Sequence, residues 1–211
     1  MYKQLIKKES RMKITVINGS PRVKGNSHAI VNAFCDAATK QGADIKIFEM
    51  SRLKNVRGCQ GCMACKGKTE TCVIHDDVTE IYDQLQLSDI VVIASPVYFA
   101  DLSSQIKPFI DRLYQFFPAN FHDAFDFETL SYNGKRVGRI KEHKTAVLIT
   151  TQGGNIPEIQ KDIHPRYEMF LRWLGFDTVY NIRGLGDPAM GIENNMADAI
   201  QQARILAGKI L

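Results

Sequence analysis

Ile14-Thr15-Val16-Ile17-Asn18 runs directly into Gly19-Ser20-Pro21-Arg22-Val23-Lys24-Gly25-Asn26-Ser27, and this stretch decides the fold. An unbroken apolar, β-branched run reads as a strand buried on both faces. The residues after it read as a tight loop and then the start of a helix. Such a loop meets the needs of a bound phosphate. Glycines let the backbone approach the anion, and free N–H groups and the helix dipole point at it. Ser20, Asn26 and Ser27 add short polar donors, and Arg22 offers a planar charged fork. A Walker A loop would need lysine after its last glycine, where Asn26 stands, and the G-x-G-x-x-G spacing of a dinucleotide loop is absent. The plain alternative is a strand-to-helix turn capped by Ser27 or Asn26. Crowding of an arginine and several donors into one short loop favours the phosphate.

Working outward, strand-like and helix-like segments alternate. Strands are expected at 13–18, 43–49, 90–94, 146–150 and 176–182. Helices are expected at 27–41, 78–87 (capped by Asp77), 103–117 (bent near Pro108), 158–174 (interrupted at Pro165) and 194–211. Between them lie an irregular segment, 53–77, and an excursion, 118–144, with a turn at Asn133-Gly134. This alternation predicts an α/β chain with a doubly wound, five-stranded parallel sheet in three α/β/α layers. It forms one domain, 12–211, preceded by a polar, lysine-rich extension, 1–11, that lacks the apolar core of a secretory signal.

The 211 residues suit one such domain, and 45% hydrophobic with 24% charged residues is the composition of a soluble protein. A formal charge of +4, dispersed along the chain, argues against nucleic acid as the main partner. No apolar run approaches the ~18 residues of a membrane span. Cytoplasm is the expected compartment.

In doubly wound sheets ligands lie beyond the carboxyl ends of the strands. Three loops there carry unusual chemistry: the phosphate loop, Ser95-Pro96-Val97-Tyr98-Phe99-Ala100, and Thr150-Thr151-Gln152-Gly153-Gly154-Asn155. Tyr98 and Phe99 offer flat aromatic surface on a turn stiffened by Pro96, and Gly153 and Gly154 let amides approach a planar ligand. A phosphorylated aromatic molecule such as FMN satisfies all three. The segments GSPRVKGNS (19–27), SPVYFADLSSQIKPFIDR (95–112) and TTQGGN (150–155) resemble the three flavin loops of the NAD(P)H-dependent FMN reductases of the flavodoxin-like superfamily. The resemblance spans 12–211 and implies strand order 2-1-3-4-5 with non-covalent FMN. It assigns Ser20, Arg22, Asn26 and Ser27 to the phosphate. Pro96, Val97, Tyr98 and Phe99 would lie along the isoalloxazine ring, and Thr151, Gly153 and Gly154 on its other edge.

Cys59, Cys62, Cys65 and Cys72 place four thiols within one short segment. In a cytosolic protein such spacing points to a metal or redox role. Two-residue spacings suit an iron–sulfur cluster, although the bacterial ferredoxin pattern has a different fourth spacing followed by proline. Tetrahedral zinc and a thiol/disulfide pair are the other readings. The motif is similar to the compact cysteine motif of the iron–sulfur flavoproteins of the same superfamily, which implies [4Fe–4S] beside FMN. Cys35, on the apolar face of the first helix, reads as a core thiol.

Five histidines show no ligand spacing, and His28 is expected at the surface beside the phosphate loop. Asp76 and Asp77 read as helix caps, and Lys107, Asp111 and Arg112 as partners within one helix. The combined reading is an FMN-dependent oxidoreductase. It takes electrons from NADH or NADPH and passes them to a small-molecule or protein acceptor, as a homodimer or homotetramer. A flavodoxin-type carrier and a zinc-stabilised binding module are its rivals.

Overall fold

The opening apolar run is strand β1, Lys13–Asn18, and it lies inside a parallel sheet. In this computed structural model, residues 11–124, 126, 137–186 and 196–211 are described. Strands β2 (Asp44–Glu49), β3 (Ile90–Tyr98), β5 (Thr145–Gln152) and β6 (Thr178–Leu185) join β1 in the order β2-β1-β3-β5-β6. That is the expected order of the five parallel strands. A further short strand, β4 (Asp101–Leu102), pairs antiparallel with the end of β3 and was not anticipated. Helices α1 (Asn26–Lys40), α2 (Thr79–Leu87), α3 (Lys107–Arg112), α4 (Ile163–Leu174) and α5 (Ala197–Ile210) cover the two faces.

Alternation along each strand explains why the central runs are apolar throughout. Ile90, Val92 and Ala94 pack with α1 and α5, in a core that includes Ile30, Phe34, Ala203 and Ala207. Val91 and Ile93 point the other way, into a core with Leu85, Phe109, Leu171 and Leu174. Successive side chains leave a strand on opposite faces, so a sheet covered on both sides has no polar row to reveal its period. Cys35 is buried against the first of these cores, and its thiol is pushed up to about 12 by burial and then by Asp36 and Glu49. It is a core thiol, as expected.

The prolines correct two expectations. The sequence suggests a bend at Pro108 and an interruption at Pro165, yet each falls in the first turn of a helix, α3 and α4. The missing N–H there has no intrahelical partner to lose, so proline starts the helix. The expected segments 103–117 and 158–174 are accordingly shortened, with a 3-10 turn at Leu113–Phe116 after α3. Asp77 does not cap α2: its carboxylate accepts from the amides of Lys54 (2.9 Å) and Asn55 (3.0 Å). Asp76 does the local work, accepting from Val78 N while Thr79 Oγ1 accepts from Asp76 N. The turn expected at Asn133-Gly134 and most of the N-terminal extension lie outside the described residues.

Gly19 permits a close approach. A Cβ there would stand 2.6 Å from Cβ of Ile106, itself wholly buried. Gly19→Ala is therefore expected to lower stability by roughly 1–3 kcal/mol, the usual range for overpacking, measured by chemical denaturation. On α4, His164 Nε2 lies 2.8 Å from Thr150 Oγ1 on β5. Burial, aided by the charge of Arg183 and opposed by Glu168, pushes His164 down to about 4. Its folded value is below the unfolded one near 6.5, so the unfolded chain takes up the proton first. Stability should fall as pH drops from about 6.5 to about 4, on the order of 2–3 kcal/mol in all. His164→Gln should flatten that part of a denaturation-against-pH curve.

Candidate functional site

Three strand ends converge because β1, β3 and β5 are neighbours in parallel register, with Asn18 beside Ala94 and Pro96 beside Thr151. Buried hydroxyls then tie the loops together. Ser103 Oγ donates to Gly19 O (2.7 Å), and Ser103 N donates to Ser95 Oγ (3.0 Å). Ser27 Oγ and Thr151 Oγ1 lie 2.8 Å apart, linking the start of α1 to β5. All three loops identified in the sequence thus meet on one edge of the sheet.

The first loop leaves several donors without acceptors. Helix α1 begins after Gly25 with no side-chain cap and no acidic residue in its first turn. Neither Ser27 nor Asn26 caps the helix, so the plain capped-turn alternative does not hold. The first amides of α1 keep their donors without a side-chain acceptor, and the helix dipole favours negative charge there. Arg22 is exposed and Asn26 half-buried beside them. Ser20 is buried, its Oγ accepting from Arg22 N (3.3 Å), and it holds the loop's shape. At the base of the loop Asn18 is fully buried; Oδ1 accepts from Ser20 N (3.1 Å), while Nδ2 has no protein acceptor. A free buried donor beside uncapped helix amides fits a phosphate group.

The second loop differs from its expected form. Pro96 and Val97 belong to β3, which runs on to Tyr98. Proline is tolerated there because β1 pairing ends at Ala94, so no neighbour needs its N–H on that side. The turn proper is Phe99-Ala100, and both residues have positive φ (45° and 70°). Two-residue hairpin turns of this hand normally use asparagine and glycine, so the site stores backbone strain. Its effect is to hold Phe99 wholly in solvent, with Tyr98 41% exposed. An aromatic shelf is therefore present and unspent on packing. On the third loop, added Cβ atoms at Gly153 and Gly154 would meet nothing within 4 Å, so the space above it is open.

Two further residues escaped the sequence reading. Arg183 on β6 clamps the glycine loop, donating to Gln152 Oε1 (2.7 Å), to Pro157 O (2.7 Å) and to Ile159 O. Gln152 Nε2 in turn donates to Gly154 O (3.2 Å). A lone arginine in a strand carried no signal of this role. His28, expected at the surface, is buried with Nε2 3.0 Å from Glu49 Oε2, since the end of β2 lies beside the start of α1.

Cys59, Cys62, Cys65 and Cys72 all border one cavity of about 50 Å³, together with Arg112 and Gln115. Asp76 and Asp77 hold the preceding strand of chain, and Cys72 N donates to Gln115 Oε1 (3.0 Å). Arg112 was expected to pair within its helix. Lys107 and Asp111 do so (2.6 Å), but Arg112 turns inward to Asp76 (2.8 Å), with both side chains buried. Among the described residues no three His, Cys, Asp or Glu gather closely enough for a single metal ion. Zinc would draw its four thiolates to about 2.3 Å from one centre. A four-iron cluster takes one thiolate on each iron, which leaves the four thiolates farther apart. Four thiols around one cavity are a donor set that suits such a cluster.

Comparison with known proteins agrees with this geometry. The NADPH-dependent FMN reductase family profile matches residues 12–166. An iron–sulfur flavoprotein of Methanocaldococcus jannaschii is 38% identical over 101 residues, 48% of this chain and 50% of that protein. One from Methanosarcina thermophila is 37% identical over 101 residues, 48% of this chain and 52% of that protein. The match to this chain thus spans about half the length of these curated relatives. Among solved structures, an FMN-dependent NADH-azoreductase of Bacillus anthracis in complex with FMN superimposes with a TM-score of 0.69 at 16% identity, covering 95% of this chain and 99% of that one. An NAD(P)H:quinone oxidoreductase of Methanothermobacter marburgensis gives 0.68 at 15% identity, covering 94% and 96%. At such identities the likeness shows the flavodoxin-like fold. With the profile covering most of its length and its three loops joined at one sheet edge, the chain belongs to the NADPH-dependent FMN reductase family.

Proposed function

We propose that this protein is an FMN-dependent NAD(P)H oxidoreductase that passes electrons to a small-molecule or protein acceptor, with a [4Fe–4S] cluster on Cys59, Cys62, Cys65 and Cys72. The observation that carries the flavin reading is the junction of an uncapped, arginine-flanked helix start, an exposed aromatic turn and an open glycine loop at one sheet edge. The names of the curated relatives support the cluster. Bound FMN supplies hydride acceptance and onward electron transfer. The chain supplies position and electrostatics. Asn18, Arg22, Asn26 and the first α1 amides bind the phosphate. Ser20 shapes that loop, and Ser27 and Thr151 brace it against the third. Pro96 and Val97 carry the turn along the ring, while Tyr98 and Phe99 orient the ring and limit the face open to a nicotinamide. The backbone amides of Gly153 and Gly154 would hold the other edge of the ring and supply hydrogen-bond donors to negative charge there. The physiological assembly is a homodimer or homotetramer in the cytoplasm. No helix among the described residues is long and apolar enough to cross a membrane.

The test is flavin selectivity with turnover. The protein should bind FMN far more tightly than riboflavin, and Arg22→Ala should weaken FMN by about 1.5 kcal/mol while leaving riboflavin unchanged. That value is the low end for a charged hydrogen bond, because Arg22 is exposed. Equal affinity for the two flavins overturns the loop assignment, and FMN-loaded protein that oxidises neither NADH nor NADPH is a carrier. Gly153→Ala offers a second probe. Its methyl group meets no protein atom, so thermal stability of the flavin-free protein should stay within about 0.5 kcal/mol of the parent. FMN affinity should nevertheless drop, as titration by flavin fluorescence would show.

A further inference from the structure

Arg112, which borders the cysteine cavity, carries a buried donor without a protein acceptor. Arg112, the last residue of α3, is 1% exposed. Nη1 donates to both Asp76 oxygens (2.8 Å each) and to Arg57 O (3.3 Å), and Nη2 donates to Ile74 O (2.8 Å). The guanidinium also lies 5.4 Å from the Tyr82 ring centre. Every bond goes through the two terminal nitrogens, and Nε is left without a partner. A buried N–H in that condition costs about 1–3 kcal/mol, so its persistence needs a reason. The reason lies in what surrounds it, because Arg112 borders the same cavity as all four thiols. Gln115, one turn on, donates to Arg112 O (3.1 Å) and accepts from Cys72 N (3.0 Å), so arginine and cysteine backbones are held in register.

We propose that Arg112 Nε–H donates a hydrogen bond to a sulfur of the cluster bound by Cys59, Cys62, Cys65 and Cys72, and thereby sets its reduction potential. The inference rests on the iron–sulfur reading above. Asp76 neutralises the guanidinium's charge, so what Arg112 brings to the cavity is a fixed donor rather than a free cation. A donor to cluster sulfur withdraws negative charge, favours the reduced and more negative state, and raises the potential. It also lowers the cost of burying an anionic centre.

Arg112→Lys separates this role from a structural one, since lysine can keep the ion pair with Asp76 but has no Nε–H. The full chain would be purified anaerobically, loaded with iron and sulfide, and checked for bound FMN as a measure of folding. Expected for Arg112→Lys are normal FMN content, a lower cluster potential in an EPR-monitored redox titration, and iron affinity against a chelator reduced roughly 10- to 100-fold. An unchanged potential and unchanged affinity overturn the proposal and leave the cluster in place. Parent protein that takes up only zinc, or no iron and sulfide, overturns the cluster reading and this inference with it. A variant that fails to fold is bypassed with the parent chain carrying 15N-arginine. Pulsed EPR of its reduced cluster should show a coupled arginine nitrogen and an exchangeable proton, and their absence overturns the proposal.

Discussion

The hydrogen bond from Ser103 Oγ to Gly19 O joins two chain segments that are far apart in sequence and must meet for the site to exist. Ser103 is fully buried, and its backbone amide donates to Ser95 Oγ, so one residue fixes both the loop after β1 and the end of β3. A buried hydroxyl has to satisfy its polar atoms within the protein, which makes the geometry nearly unique. Gly19 is part of the same constraint, since Ile106 fills the space that any side chain would take. The third loop is pinned in the same way by Ser27 and Thr151, again both buried. Rigidity therefore sits beneath the ligand surface, while the groups that face outward are left free.

That division explains the strained turn at Phe99-Ala100. A hairpin with positive φ at two non-glycine residues persists only when its surroundings hold it. Here β4 closes the turn, and Asp101 receives Tyr167 Oη (2.9 Å) and Arg166 (3.2 Å) from α4. An exposed phenylalanine opposes burial of apolar surface, so the fold spends stability to present it. The glycine loop is held differently, through Arg183 reaching across from β6. Both loops are shaped from behind by charged or hydroxyl groups that do not themselves face the open side.

The cysteine segment has little apolar packing of its own, with Cys59 and Cys62 exposed. Polar anchors replace a core there. Asp77 and Asp76 bind the amides of Lys54, Asn55 and Arg57, and Arg112 closes the other side. Lys66 Nζ, donating to Tyr114 O and Phe117 O, ties the segment to the end of the 3-10 turn after α3. A segment held at its flanks in this way can keep four thiols around one cavity without a hydrophobic centre.

The sequence by itself determined the layer architecture, the strand order through the family likeness, the positions of the three loops, and the segment holding the four thiols. Those features are local: a buried parallel strand is an apolar run, a phosphate loop is a cluster of glycines and donors, and cysteine spacing is read directly. Only the tertiary structure decided the partners. Asp76 was legible as a cap but not as the counter-ion of Arg112, because the two are 36 residues apart and meet only when α3 packs beside the cysteine segment. Arg183, His28 and Asn18 gave no sequence signal for the same reason. Pro108 and Pro165 are ambiguous in sequence because proline breaks a helix interior yet suits its first turn, and which applies depends on where packing lets the helix begin. Strand β4 is two residues long and exists only because β3 offers it a free edge after β1 has ended.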